Sequence, residues 1–414
     1  MKIKPNIFWN KYKSSLEPNE EAPLKERVIN FLSIVLLIAS FLLLTPGKLF
    51  HEPNIGLDPS WKISLNLATK YGLTFGTDFL FTYGPLGILV TRSPIILNKL
   101  QFAIWDLYLI SNIAIFLIYV YKNIKGLASI FLTFCCLYIL SIAPLYSMSV
   151  DNLLLLIFLF MLFHYLRHGR VLAIINASLI CLLTIFIKIN SGFVMLIMYT
   201  LFVGYIFIFP SNHTRKQVMY ISASLFFLII VASFVLNTSL IDYLIGGFHI
   251  ANAYNDAMFL RLGSQTGIEY FYFALSIILV LVISIILTLR SIKDDRNYLF
   301  IAFLLSLFIF SIFKSGFVRA DMHILTFFIF ISSGIGLLCL FASPSIRNSL
   351  SIALIFSLMV CFYTLNALNF STSLKPILRV TNRFQSLRLY GIELFDQNYR
   401  IAKRYLVEPH ILPD

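Results

Sequence analysis

Charge is scarce in this sequence: Asp, Glu, Lys and Arg make up only 12% of 414 residues, while 59% are hydrophobic. With a mean hydropathy of +0.86, there is too little polar surface to cover a soluble globule. Cysteine chemistry is missing as well. Cys135, Cys136, Cys181, Cys339 and Cys361 all lie inside apolar runs with no CxxC spacing, so they read as small packing residues without a disulfide framework. There is no GxSxG, Walker A or usable GxGxxG stretch, which leaves nucleotide-driven chemistry without support. No small-residue cleavage site follows the first apolar run, Val28 to Leu44, and that run reads as an anchor that stays. Internal repeats and low-complexity tracts are absent.

What is present is one apolar run after another. The expected fold is an all-α polytopic membrane protein of about eleven spans, at 28–46, 100–120, 127–146, 152–166, 171–187, 192–210, 218–236, 270–289, 298–313, 324–342 and 349–366. With residues 1–27 cytoplasmic, the inward segments hold sixteen of the 32 Lys and Arg against nine in the outward segments before residue 367, as the positive-inside rule requires. The body then spans 28–366, with outer loops at 47–99 and 237–269. Residues 367–414 form a tail carrying seven basic residues, expected as an amphipathic helix over Leu387–Val407 on the outer face. The net charge of +13 is scattered through short loops with no continuous aromatic-interleaved patch. That excludes nucleic acid and favours anionic membrane lipids as partners.

The longest polar-containing interval between apolar segments is Gly56–Gly87, GLDPSWKISLNLATKYGLTFGTDFLFTYGPLG. Asp58-Pro59 is a strong helix start. Trp61, Leu65 and Ala68 recur at helical spacing while Lys62, Asn66 and Lys70 fall on the other face, and Gly72 can close the helix in a left-handed conformation. A short amphipathic helix at the bilayer interface is therefore expected. Asp78 and the turn Tyr83-Gly84-Pro85-Leu86-Gly87 bring the chain back to the membrane.

Most of the other unusual polar groups fall on the same, outward side. Asp58 is either a helix cap or a general base toward a hydroxyl arriving from water; Asp78 is a turn residue, a second base or a metal ligand. Asp151 in SVDN caps a helix or serves a site. Lys314, Arg319, Asp321 and His323 lie within KSGFVRADMH, and four ionisable groups so close to hydrocarbon point to binding. Lys314 and Arg319 suit a phosphate, Arg by its fork and Lys as a point charge. Their alternatives are snorkelling and an Arg319–Asp321 pair. Lys188 in KINSG is a weaker copy of the same context. Residues 242–261 alternate aromatic and polar positions as an outer-loop helix would. His323, His51 and His249 leave a divalent metal open, although no pair among them has HxxxH spacing.

In layout, Asp58, the helix Pro59–Tyr71, Gly76-Thr77-Asp78 and Tyr83-Gly84-Pro85-Leu86, with Asp151 in the next outer loop, resemble the GT-C superfamily of membrane glycosyltransferases. That superfamily includes the protein O-mannosyltransferases and bacterial aminoarabinose transferases. A single Asp stands here without an adjacent Glu, and Tyr-Gly-Pro-Leu stands where some members carry Lys-Pro-Pro-Leu, which moves the expected phosphate ligands to Lys314 and Arg319. The resemblance implies an inverting transferase that takes a sugar from a polyprenyl-phosphate carrier, at the outer face of the plasma membrane, to a glycan, lipid or protein acceptor. Asp58 and Asp78 would be the catalytic carboxylates, Asp58 as the base, and Lys188, Asp151, Tyr83, Asp321 and His323 would help hold substrate; no cofactor is certain, and a divalent metal stays open. A polysaccharide polymerase or ligase, and a lipid-linked oligosaccharide flippase, remain alternatives; for transport the one intramembrane carboxylate to work with is Asp106.

Overall fold

The computed structural model describes residues 24–46, 49–50, 57–93, 99–123, 127–140, 150–209, 214–258, 265–292, 296–317, 323–367, 387–388, 390–392 and 394–395. The chain is an all-α polytopic membrane protein. Its helices are α1 Leu24–Leu44, α2 Leu57–Lys70, the short α3 Ile88–Thr91, α4 Lys99–Asn123, α5 Leu127–Leu140, α6 Val150–His168 and α7 Val171–Ile187. There follow α8 Ile189–Ile208, α9 Thr214–Val235, α10 Leu240–Met258, α11 Gln265–Ile292, α12 Arg296–Phe317, α13 His323–Phe341 and α14 Pro344–Ala367. Each of the eleven expected spans coincides with a helix. Among the described residues nine are long and apolar enough to cross a membrane. The other two, α5 and α7, are shorter: the described part of α5 has 14 residues, about 21 Å of rise against a hydrocarbon thickness of about 30 Å. α11 begins at Gln265, and its spanning stretch begins at Ile268.

Helices apolar on all sides belong in the interior of the bundle. α6 and α13 are the most buried of the spans, whereas α1, α9 and α11 turn most of their apolar surface outward, where lipid takes the place of a protein partner. Four contacts fix which ends meet. Tyr205 of α8 donates to Asn297 of α12 at 2.7 Å, and Asn297 donates to the Leu166 carbonyl of α6. Phe341 of α13 packs on Phe163 of α6, and Tyr119 of α4 bonds His168 of α6. The last turns of α4, α6, α8 and α13 thus gather with the start of α12 at one end. Their other ends share the opposite face with residues 71–93, here termed the first-loop end.

α2 closes as its sequence promises. Gly72 has φ +66°, and the Gly72 and Leu73 amides donate to the Thr69 and Ala68 carbonyls, the paired bonds of a Schellman motif. One expectation fails: Asn66, placed on the polar face, is fully buried with Leu65 and Ala68. The reason is that α2 packs on the turn leading into α3 as well as facing outward, and Asn66 donates to Thr91 Oγ at 3.0 Å and to the Lys62 carbonyl. Beyond Gly72 the loop is stitched down by backbone bonds. Phase-locking is provided by Phe75, whose amide donates to the Asn237 carbonyl and whose carbonyl accepts from Ser239, tying the loop to the α9–α10 junction. Gly76, at φ +103°, passes so close that a Cβ would lie 2.7 Å from the Tyr243 amide of α10.

Within the tail, the described Tyr390 lies at the same end. Tyr390 donates to Asp106 Oδ2 at 2.6 Å, and Asp106 also carries a buried two-pronged pair with Arg92. Tyr390→Phe removes one hydrogen bond to a buried charged acceptor, worth about 1.5–3 kcal/mol. The expected result is a lower melting temperature in detergent and faster proteolysis of the tail; an unchanged digestion pattern would mean that this bond does not hold the tail down.

Candidate active site

Lys188 is the single residue between α7 and α8. Its backbone is extended, φ −151° and ψ 111°, so the chain reverses there in one step. The Lys188 amide closes α7 on the Thr184 carbonyl at 2.8 Å, and its carbonyl accepts from Gly192 at 3.0 Å to open α8. The same residue forms an antiparallel bridge with Tyr83: Gly84 donates to the Ile187 carbonyl and Ile189 to the Thr82 carbonyl. The Tyr-Gly-Pro-Leu turn is thereby fixed on the apex of the α7–α8 hairpin. Glycine is needed at 84 because a Cβ there would lie 2.5 Å from the Phe186 carbonyl oxygen.

The side chains follow from that backbone. Lys188 Nζ lies 2.9 Å from Asp151 Oδ2 and 5.3 Å from the centre of the Tyr83 ring, within cation–π range. Ser191, one turn into α8, donates to the same Asp151 oxygen at 2.7 Å. Among the described residues no hydrogen bond reaches Asp151 Oδ1. Asp151 is 4% exposed and sits in the first turn of α6, where the helix dipole favours a carboxylate. Burial alone would lower the Lys188 pKa, but the Asp151 charge and Tyr83 outweigh it and hold the ammonium above its ordinary value. A persistent cation is thus held against the Asp151 side chain at the membrane edge.

An aromatic wall stands over them. Trp61 of α2 stacks on Tyr83 with ring centres 4.7 Å apart and planes at 18°, and Phe81 lies 5.3 Å from Trp61. α10 closes the far side, where Tyr243 donates to the Ile185 carbonyl at 3.0 Å. The helix expected in this interval is α10, which lies against the first loop and α8: Cβ atoms at Gly246 and Gly247 would meet Leu80 and Ile189.

The structure therefore brings Tyr83, Asp151 and Lys188 together. Asp58 lies in the first turn of α2, which starts one residue before it; its side chain lies outside the described residues, as do Arg319, Asp321 and His51. Asp78 is exposed and accepts from the Thr74 amide at 3.0 Å, which is the work of a turn residue. Lys314 is exposed in the last turn of α12, and His323 opens α13 half-buried. Both belong to the first-loop end, and neither Asp78 nor Lys314 bonds to the Asp151 cluster. Among the described residues no three His, Cys, Asp or Glu side chains gather to hold a metal. Two participants were not anticipated. Ser191 could have been read from the Lys188-x-x-Ser191 spacing, one turn apart on the same side of a helix start. The Arg92–Asp106 pair had no such signal, since its partners are brought together by the loop fold. Against protein-family models, characterised proteins and solved structures, the chain matches none.

Proposed function

We propose that this chain is an inverting glycosyltransferase that moves a sugar from a polyprenyl-phosphate carrier to a cell-envelope glycan, lipid or protein acceptor at the outer face of the plasma membrane. The observation that carries the reading is the Asp151–Lys188 pair set beneath the Trp61–Tyr83 stack at the membrane edge. A flat aromatic face takes the C–H face of a sugar ring, while charge beside it orients hydroxyl and phosphate groups. A transport reading loses its main support, because Asp106 is neutralised by Arg92 and bonded by Tyr390.

In this mechanism Asp58, one helical turn before Trp61, takes the proton from the acceptor hydroxyl as that oxygen attacks the anomeric carbon. The bond from that carbon to the phosphate oxygen breaks with inversion, and the electron pair leaves on the polyprenyl phosphate. A phosphate leaving group needs no general acid, unlike a glycoside oxygen. Lys314 and Arg319 meet the departing charge, and Lys188 adds its field from beside Tyr83. Asp151 holds Lys188 in place and keeps one oxygen available to a sugar hydroxyl.

The test is release of polyprenyl phosphate from a panel of polyprenyl-phosphate sugars by the protein in lipid, with an envelope glycan extract as acceptor. Protein-dependent release that drops by about 10²–10⁴ in Asp58→Asn, with the melting temperature retained, is expected for a general base. Release untouched by the substitution removes Asp58 from the mechanism. Absence of release from every donor rejects the transferase.

A further inference from the structure

At the end of the bundle opposite the first loop, a cavity of about 90 Å³ opens between α4, α5, α13 and α14. Asn123, Arg347 and Ser351 are among its polar lining, and most of its walls are apolar, Phe116, Leu132 and Leu137 among them. No carboxylate lines it among the described residues. Arg347 is incompletely satisfied there: one terminal nitrogen donates to the Ala342 carbonyl at 3.2 Å, while Nε is buried with no partner among the described residues. A partly buried guanidinium at the membrane edge, with no counter-ion among the described residues, is costly.

The two halves of this cavity ask for different chemistry. The planar, permanently charged guanidinium fits a phosphate oxygen pair, and the walls behind it fit hydrocarbon. Only a molecule that joins the two satisfies both. Basic pockets between spanning helices favour anionic headgroups for the same electrostatic reason.

We infer that this cavity is a binding site for an anionic phospholipid, with the Arg347 guanidinium on the headgroup phosphate and the first part of a lipid chain against Phe116 and Leu137. The site lies at the other end of the bundle from the Asp151–Lys188 cluster and stands independently of the proposed transfer. Its ligand would be structural or regulatory, bound from the leaflet facing that end.

The full-length protein in detergent is titrated with phosphatidylglycerol, phosphatidylcholine, diacylglycerol and, separately, inorganic phosphate, following bound lipid by native mass spectrometry and stability by thermal melting. Phosphatidylglycerol is expected to bind tightest and to raise the melting temperature most. Losing a hydrogen bond to a charged group, Arg347→Ala should weaken it about tenfold or more, with Arg347→Lys intermediate. Thr133→Phe, which fills the cavity and leaves the guanidinium in place, should also lose phosphatidylglycerol. Equal binding by wild type and Arg347→Ala would overturn the site, as would full binding by Thr133→Phe if the Arg347 variants do not fold. Inorganic phosphate matching phosphatidylglycerol would assign the guanidinium to a free anion and reject the lipid. Phosphatidylcholine or diacylglycerol matching it would reject the charge.

Discussion

Lys188→Met is expected to destabilise the protein by about 3–5 kcal/mol, the usual cost of leaving one partner of a buried ion pair behind. The residue left behind is Asp151, 4% exposed, whose remaining bond from Ser191 cannot neutralise its charge. Methionine keeps the length and apolar stem of lysine, so packing against Tyr83 is largely preserved and the lost charge dominates. The double variant Asp151→Asn with Lys188→Met removes both charges and should recover most of the stability, because a neutral pair of similar volume avoids the desolvation cost. Thermal unfolding of wild type, both single variants and the double variant measures this directly. If Lys188→Met melts with the wild type, Asp151 is reached by water and the pair contributes nothing to stability.

The pH dependence carries a sign. The Lys188 pKa is raised above its ordinary value of 10.5, so its contribution to stability is fully present below that value and is lost only as pH climbs through the raised one. Stability from this pair should therefore be flat through neutral pH and fall in strong alkali, and Lys188→Met should abolish that alkaline fall.

The spans and the closure of α2 were legible because each depends on neighbouring residues: apolar runs of spanning length, or Gly72 at a helix end with φ +66°. Asp78 was legible as a turn residue for the same reason. Pairing was not. Asp151 and Lys188 are separated by 37 positions, and each had a sufficient local explanation, one as a cap and the other as a snorkelling lysine. Asn66 misled because helical periodicity assigns it to a polar face, whereas the turn at Pro85–Thr91 folds back and covers it. The left-handed backbone of Arg92, φ 49°, turns the chain out of α3 beside Asp106, and nothing in a one-dimensional pattern encodes that approach. Local rules identified the helices, and the contacts between them selected the residues of the cluster.

Gly192→Ala should be among the most damaging small substitutions in the chain. In a helix interior alanine is ordinarily better than glycine by about 1 kcal/mol, so local propensity predicts a gain. Geometry predicts the reverse: a Cβ at 192 would lie 2.4 Å from the Ile185 Cα and 2.7 Å from its backbone nitrogen. Those are main-chain atoms of α7, and no rotamer change can clear them. Accommodating the methyl group requires α7 and α8 to separate, an overpacking cost of about 1–3 kcal/mol that outweighs the propensity gain. The hairpin apex is Lys188, whose carbonyl accepts the Gly192 amide, so separation also draws Lys188 off Asp151 and Tyr83. Gly204→Ala, on the same helix with nothing within 4 Å of its Cβ, is the matched control and should be neutral or stabilising by up to about 1 kcal/mol. Thermal melting of the two variants side by side, with polyprenyl-phosphate release as the second readout, separates the effects. A Gly192→Ala protein as stable as Gly204→Ala would show that the hairpin is loose at its apex, and that the Lys188 position does not depend on the close approach of α7 and α8.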